Sequence, residues 1–412
     1  MKKLCFSRYA FSCVIAAMLA GCGGSQPSID APGVMPQAPA IGTARPVGQD
    51  IRGASSAFRV LHRFDSGSDG KNPAAALIEV NGTLYGTTAA GGSYSSSSYY
   101  EGCGTVYSIT PNGAEQVLHS FGAANDGKGP NASLIDVKGT LYGTTFSGGT
   151  YGGGTVFSIS TDGTEHVLHS FQGRSGDGAE PAASLIDVKG TLYGTTVGGG
   201  TYGVGTVFSV SATGTEHLLY SFSEGSDGAQ PYASLIDVKG TLYGTTRAGG
   251  TYGAGTVFSI STTGAEYVVH SFGDGSDGDT PYAGLTDVKG SLYGTTSYGG
   301  KYGAGNVFGI STAGNKYVVL HNFRRINGKK PLASLIDVGG TLYGTTYSGG
   351  THGGGTVFSI STAGKEQVLH KFGSGSLGKN PAASLIDVNG TLYGTTRAGR
   401  AYGRGTVFAL NP

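Results

Sequence analysis

The string Leu-Tyr-Gly-Thr-Thr occurs seven times in this chain, with its tyrosine at Tyr85, Tyr142, Tyr193, Tyr243, Tyr293, Tyr343 and Tyr393. The intervals are 57, then 51, then 50 residues four times over. A fixed period of this length means that one supersecondary unit is copied, and that the copies bury their apolar faces on one another. Two other strings keep step with it. Gly-Thr-Val-Phe recurs at Thr155, Thr206, Thr256, Thr356 and Thr406, with Gly-Thr-Val-Tyr at Thr105 and Gly-Asn-Val-Phe at Asn306. Val-Leu-His-Ser-Phe and its variants end at Phe64, Phe121, Phe171, Phe222, Phe272, Phe323 and Phe372.

The unit that starts at residue 132 gives the local structure. Residues 132–137 (ASLIDV) and 140–145 (TLYGTT) are short β-branched and aromatic runs around the dipeptide Lys138-Gly139. In other copies that dipeptide is Asn81-Gly82 or Asn389-Gly390. Asn-Gly is the strongest hairpin signal, because both central residues of the turn need positive φ. A glycine loop, 147–154, leads to a strand at 155–160, a turn ending at Gly163 and a strand at 165–171. No 3.6-residue apolar period appears. Four antiparallel strands per copy, seven times over, predict an all-β, seven-bladed β-propeller at residues 58–412. The run Leu134, Ile135 and Val137 fits inner strands with both faces covered. The first ordered strand, 58–64, is of the fourth type and the last, 406–410, of the third. The N-terminal strand is therefore expected to complete the last blade and remove an open edge.

Composition agrees with a repeat array. Glycine is 77 of 412 residues, about 19% against a usual 7%, yet there is no Gly-X-Y triplet, so collagen is excluded. Each copy uses glycine in its hairpin, its glycine loop and its inter-blade turn. The net charge of +1 argues against a nucleic-acid binder driven by counterion release. Tryptophan is absent, which removes WD repeats and sialidase-type Asp boxes.

The N-terminus reads as an export signal at 1–21, with Lys2 and Lys3 before a short apolar stretch that is too short for a membrane span. It ends Leu19-Ala20-Gly21-Cys22, which resembles a bacterial lipobox. By that resemblance Cys22 carries the lipid, and Gly23 in place of Asp favours the outer membrane or cell surface. Residues 22–57 contain Pro27, Pro32, Pro36, Pro39 and Pro46 and no apolar period. They read as a tether with a reach of roughly 30–35 Å. Cys103 is left as the one cysteine of the folded part, without a disulfide partner.

The unit resembles a kelch repeat in its hairpin, its Leu-Tyr and its Gly148-Gly149, but it lacks kelch tryptophan and its glycine pair comes later. It is more similar to the GloVer tandem repeat of exported bacterial proteins, through LIDVKGTLYGTT and GGTYGxGTVFSI at 135–159 and the six counterparts. That resemblance implies export and a repeat architecture, and no activity.

Strand direction puts the hairpin turns and the Ser-Thr-x-Gly turns on one face. The glycine loops and inter-blade loops lie on the other, where loop length varies. Function usually resides in such loops. The candidate ligand-binding residues are Tyr151, Tyr202, Tyr252, Tyr302, His352 and Tyr402, one per glycine loop. Tyr99 and Tyr100, from the longer first-blade loop, join them. Tyrosine offers an apolar plate with a polar tip, suited to glycans or peptides. The bland alternative is that each ring pins its own loop. The same reading covers Tyr232, Tyr282, Arg247, Arg397, Arg400 and Arg404. Asp69, Asp126, Asp177, Asp227 and Asp277 read as turn residues. A weaker alternative is Ca²⁺ at Asp274, Asp277 and Asp279, whose spacing is not that of an EF-hand. His62, His119, His169, His270, His321 and His370 lie on separate outer strands and cannot converge on one metal. Asp136 and its counterparts read as turn acceptors.

No His-Glu-x-x-His, Gly-x-Ser-x-Gly or phosphate-loop motif is present. Gly198, Gly200 and Gly203 match Gly-x-Gly-x-x-Gly, but between strands. No catalytic, metal or cofactor residue is therefore assigned. The expectation is a monomeric, lipid-anchored, non-catalytic recognition or scaffold module. It would bind a glycan, peptide or protein at the cell surface and meet the membrane only through its anchor. The alternative is a polysaccharide lyase or glycoside hydrolase with its site at the central cavity.

Overall fold

A computed structural model describes residues 58–65, 67–94, 102–174, 176–373, 377–399 and 403–412. The signal, the tether and Cys22 lie outside the described residues. Each copy folds as its pattern dictates. Ile135–Val137 pairs with Thr140–Thr145, that strand with Thr155–Ser160, and that with Glu165–Ser170. The hairpin turn has the expected backbone, with φ of 55° at Lys138 and 86° at Gly139. Asp136 caps it by accepting the Gly139 N–H at 2.9 Å. Seven such four-stranded antiparallel sheets form a ring, and no helix occurs among the described residues. The short first strands of successive blades touch one another, so they surround the axis. The seventh sheet is composite. Phe58–Arg63 pairs with Thr406–Leu410, so one N-terminal strand joins three C-terminal ones.

The repeated words now have physical causes. Leu141 is fully buried. A Cβ on Gly143 would lie 2.6 Å from Cζ of Phe157 and 2.9 Å from Cδ2 of Leu134, so only hydrogen fits. The first threonine bridges blades: Thr144 Oγ1 donates to the Ala183 carbonyl at 3.1 Å. The second pairs within its blade, Thr145 Oγ1 with Thr155 Oγ1 at 2.8 Å. The closing contact is of the first kind, Thr395 Oγ1 to the Ala75 carbonyl at 3.1 Å.

The cores lie between blades. Phe121 and Val106 of the first blade pack with Leu134, Leu141 and Phe157 of the second. At every junction the aromatic residue after the fourth strand meets the one on the next blade's third strand, with ring centroids 5.0–5.3 Å apart. Six are edge to face and the seventh, Phe372–Phe408, is tilted at 60°; aromatic pairs of this kind add about 0.5–1.5 kcal/mol each beyond area burial. Cys103 is buried in the first of these cores.

The first strand is shorter than the apolar run suggests, Ile135–Val137 rather than 132–137. The preceding backbone bonds to its neighbour's serine instead. Ala76 N–H donates to Ser133 Oγ, Ser133 N–H to Ser184 Oγ and Ser184 N–H to Ser234 Oγ, at 2.9–3.1 Å. This places a small-residue belt around the axis.

Candidate functional site

Two loop positions in each copy flank the innermost part of a blade. One follows the inter-blade proline, and the other follows Thr-Thr at the end of the second strand. Inter-blade and glycine loops are held together by short bridges, such as Lys71 with Ala90 and Lys329 with Ser348. Both positions from several blades meet at the axis on the long-loop face. They line a cavity of about 490 Å³, within the range of small-molecule sites.

Its lining is uneven although the ring is nearly symmetric. Ala74, Asn131 and Ala182 line one side beside Phe146, while Tyr232, Tyr282, Tyr298 and Tyr347 line the other. Tyr232 and Tyr282 stack with centroids 4.6 Å apart and planes at 28°. The Arg247 guanidinium carbon lies 5.6 Å and 5.8 Å from those two ring centroids. Lys330 Nζ lies 4.8 Å from the Tyr298 centroid. Arg397 completes the cations, and among the described residues no carboxylate or histidine lines the cavity. Burial, followed by the neighbouring Tyr232, pushes the Tyr282 hydroxyl well above its ordinary range, so it stays protonated at neutral pH.

The rim residues are placed differently. Tyr151, Tyr202, Tyr252 and Tyr302 are 60, 62, 55 and 42% exposed. Each sits on its own blade. Tyr252 covers the backbone at Gly273, and His352 covers Gly373. Tyr302 accepts a hydrogen bond from Arg324, whose guanidinium carbon is 4.2 Å from the ring centroid. No ring contact joins these residues to one another among the described residues. Tyr99, Tyr100, Tyr402 and Arg400 lie outside the described residues.

The inter-blade aspartates order their loops. Asp126 accepts the N–H groups of Gly122 and Gly127 at 3.0 and 2.6 Å. Each also faces the preceding outer strand, as in His119 Nε2 to Asp126 Oδ2 at 3.1 Å and His270 Nε2 to Asp277 Oδ2 at 3.0 Å. A third group arrives from the next blade. His119, Asp126 and Glu165, and likewise His169, Asp177 and Glu216, bring three ligand atoms within 4.8 Å. Asp274, Asp277 and Asp279 form no such group among the described residues. Burial, with Asp126 adding to it, pushes Glu165 up to about 7. The junction triads were not legible in the sequence, because each joins a strand, a loop and the strand of another copy. The glutamates that open the next copies' fourth strands, Glu165 and Glu216, 46 and 47 residues after His119 and His169, were the available signal.

Seven tandem copies closed by the N-terminal strand define a repeat β-propeller with an axial cavity. The chain belongs to the Gloeobacter/Verrucomicrobia repeat family, whose model matches residues 93–301 and 268–412. No curated protein sequence matches it. Among solved structures, it is similar to an oligogalacturonate lyase from Vibrio parahaemolyticus, at 9% identity and TM-score 0.54, covering 87% of this chain and 97% of that one. A gluconolactonase from Xanthomonas campestris is similar at 15% identity and TM-score 0.42, over 66% and 81% of the two chains. The tricorn protease is similar at 10% identity and TM-score 0.43, over 78% of this chain and only 27% of its own length. At these identities the likeness concerns the fold alone.

Proposed function

We propose that the protein is a non-catalytic recognition module that seats its ligand in the axial mouth of the long-loop face. The lipobox reading of Cys22 adds that it does so from the cell surface. The observation that carries this reading is the Tyr232–Tyr282 stack beneath Arg247. It is a half-buried aromatic surface built by two copies at positions where the other copies carry alanine, Asn131 or Leu332. The rim tyrosines and His352 extend the same face as secondary contacts. An enzyme at this cavity is the alternative. It would need a general acid and base with values near the working pH, whereas the lining offers cations and a tyrosine hydroxyl held protonated.

A glycan array probed with the full chain, and again with Tyr232→Ala and Tyr282→Ala, tests the reading. Binding that falls at least tenfold in both variants is expected. Binding unchanged in both, or carried instead by Tyr202 and Tyr252, would move the site to the rim. Turnover of a bound glycan would establish the enzyme.

A further inference from the structure

We infer that the axial mouth takes an anionic saccharide, with its acid group on Arg247 and Arg397 and its sugar ring on the Tyr232–Tyr282 plate. This inference rests on the recognition reading and adds the ligand class.

Three cations, Arg247, Lys330 and Arg397, face one cavity without a carboxylate in its lining. None of the three has an ion-pair partner, and neither arginine has a side-chain hydrogen bond, among the described residues. The copies bear this out as a local feature. At the two mouth-lining positions no copy carries an acid. One residue before the proline, where the sixth copy has Lys330, the third has Glu180, which lies beside Gly198 and does not line the cavity. Like charges gathered in a concave, low-dielectric mouth raise the local concentration of anions. A guanidinium presents a planar fork that matches a carboxylate or a sulfate ester bidentately.

The aromatic partners decide what carries the anion. A tyrosine plate buries apolar area while its hydroxyl stays available for hydrogen bonds. This combination matches a sugar ring, with its C–H face on one side and its hydroxyls at the edge. Asn131, across the mouth, adds an amide donor and acceptor. The cavity of about 490 Å³ holds a ligand of drug-like size, which is a short oligosaccharide rather than a folded surface.

Titration calorimetry on the full chain tests this with four probes: a uronic-acid oligosaccharide, its neutral methyl ester, a sulfated oligosaccharide and poly-glutamate. Binding of the uronate or the sulfated probe is expected, at least tenfold tighter than the methyl ester and weakening as salt rises. Which acid wins identifies the source of the charge. Arg247→Gln and Arg397→Gln, both on exposed side chains, are each expected to lose about tenfold for the acid and nothing for the ester. Equal binding of acid and ester, or no effect of either arginine variant, overturns the anionic assignment and leaves the recognition reading standing. Tighter binding of poly-glutamate than of any saccharide overturns the saccharide assignment. No binding of any probe to the parent, with its melting transition intact, overturns both.

Discussion

Phe64 meets Tyr107 edge to face, with ring centroids 5.1 Å apart and planes at 71°. Phe64 leaves the first strand of the chain, which sits in the seventh blade, and Tyr107 lies on the third strand of the first. This pair is therefore the junction at which the two ends of the sequence hold the ring closed. Phe58 supports the closure from the other side, stacked on His370 at 3.8 Å. Starting the chain at residue 65 rather than 58 removes both contacts and the strand pairing with Thr406–Leu410. The shorter chain is expected to melt about 10 °C lower or more, because each lost kcal/mol shifts a large domain by roughly 2–4 °C. Equal melting of the two chains would show that the ring does not depend on the exchanged strand.

Tyr107 also carries a defect. Its copies are phenylalanines, and its hydroxyl is fully buried without a hydrogen-bond partner. Burial accordingly drives that hydroxyl far above its ordinary range. Tyr107→Phe removes the unsatisfied group and keeps the ring, and is expected to stabilise by about 1 kcal/mol. Denaturant titration measures this directly. A loss of stability would mean that the hydroxyl has a partner in solution.

Gly244 sits under the ring of Phe258. An added Cβ would lie 2.6 Å from Cζ of Phe258 and 2.9 Å from Cδ2 of Leu235. Gly244→Ala is expected to cost about 1–3 kcal/mol by overpacking. Phe258→Leu in the same chain should relieve part of that cost, so the two effects should fall short of additive. Additive losses would place the strain elsewhere.

The junction glutamates give stability a pH dependence of defined sign. Burial, with neighbouring aspartates adding to it, raises Glu115, Glu165 and Glu266 to about 7, and burial likewise raises Glu216 to about 7. The folded state then binds protons more tightly than the unfolded chain. This contribution is present below about 4.5 and is lost as pH rises through about 7. Histidines oppose it, since burial lowers His62, His321 and His370, the last to about 4. Their contribution is lost as pH falls from 6.5 towards 4. Comparing a variant with its parent separates the two. Glu165→Gln mimics the protonated acid. It is expected to raise the urea midpoint at pH 8 and leave it nearly unchanged at pH 5. An equal shift at both values would show that Glu165 is protonated, or ionised, throughout.

The ring was readable from sequence because its copies agree. Leu141, Gly143, Thr144 and Thr145 each satisfy a contact that recurs from copy to copy, with the fifth copy the exception, where Thr295 Oγ1 has no partner and Thr296 pairs with Asn306, so agreement between copies is the fold. The axial mouth was harder to read for the opposite reason. Tyr232, Tyr282, Arg247 and Arg397 break the pattern, whereas Tyr151 and its equivalents keep it. Radius separates the two sets. Equivalent positions near the innermost strands meet at the axis, whereas equivalent positions near the outer strands stay on separate blades. The order of strands within a blade carries that radius. The variable residues beside the first strand were therefore a usable signal.

The two mouth positions of each blade have a wider consequence. Their side chains change from alanine to tyrosine, or from phenylalanine to arginine, while most of the threonines and glycines around them keep the same contacts. Backbone and cavity lining are thus uncoupled at these positions. The lining can be rewritten one position at a time, or moved by exchanging whole copies, without asking the scaffold to refold.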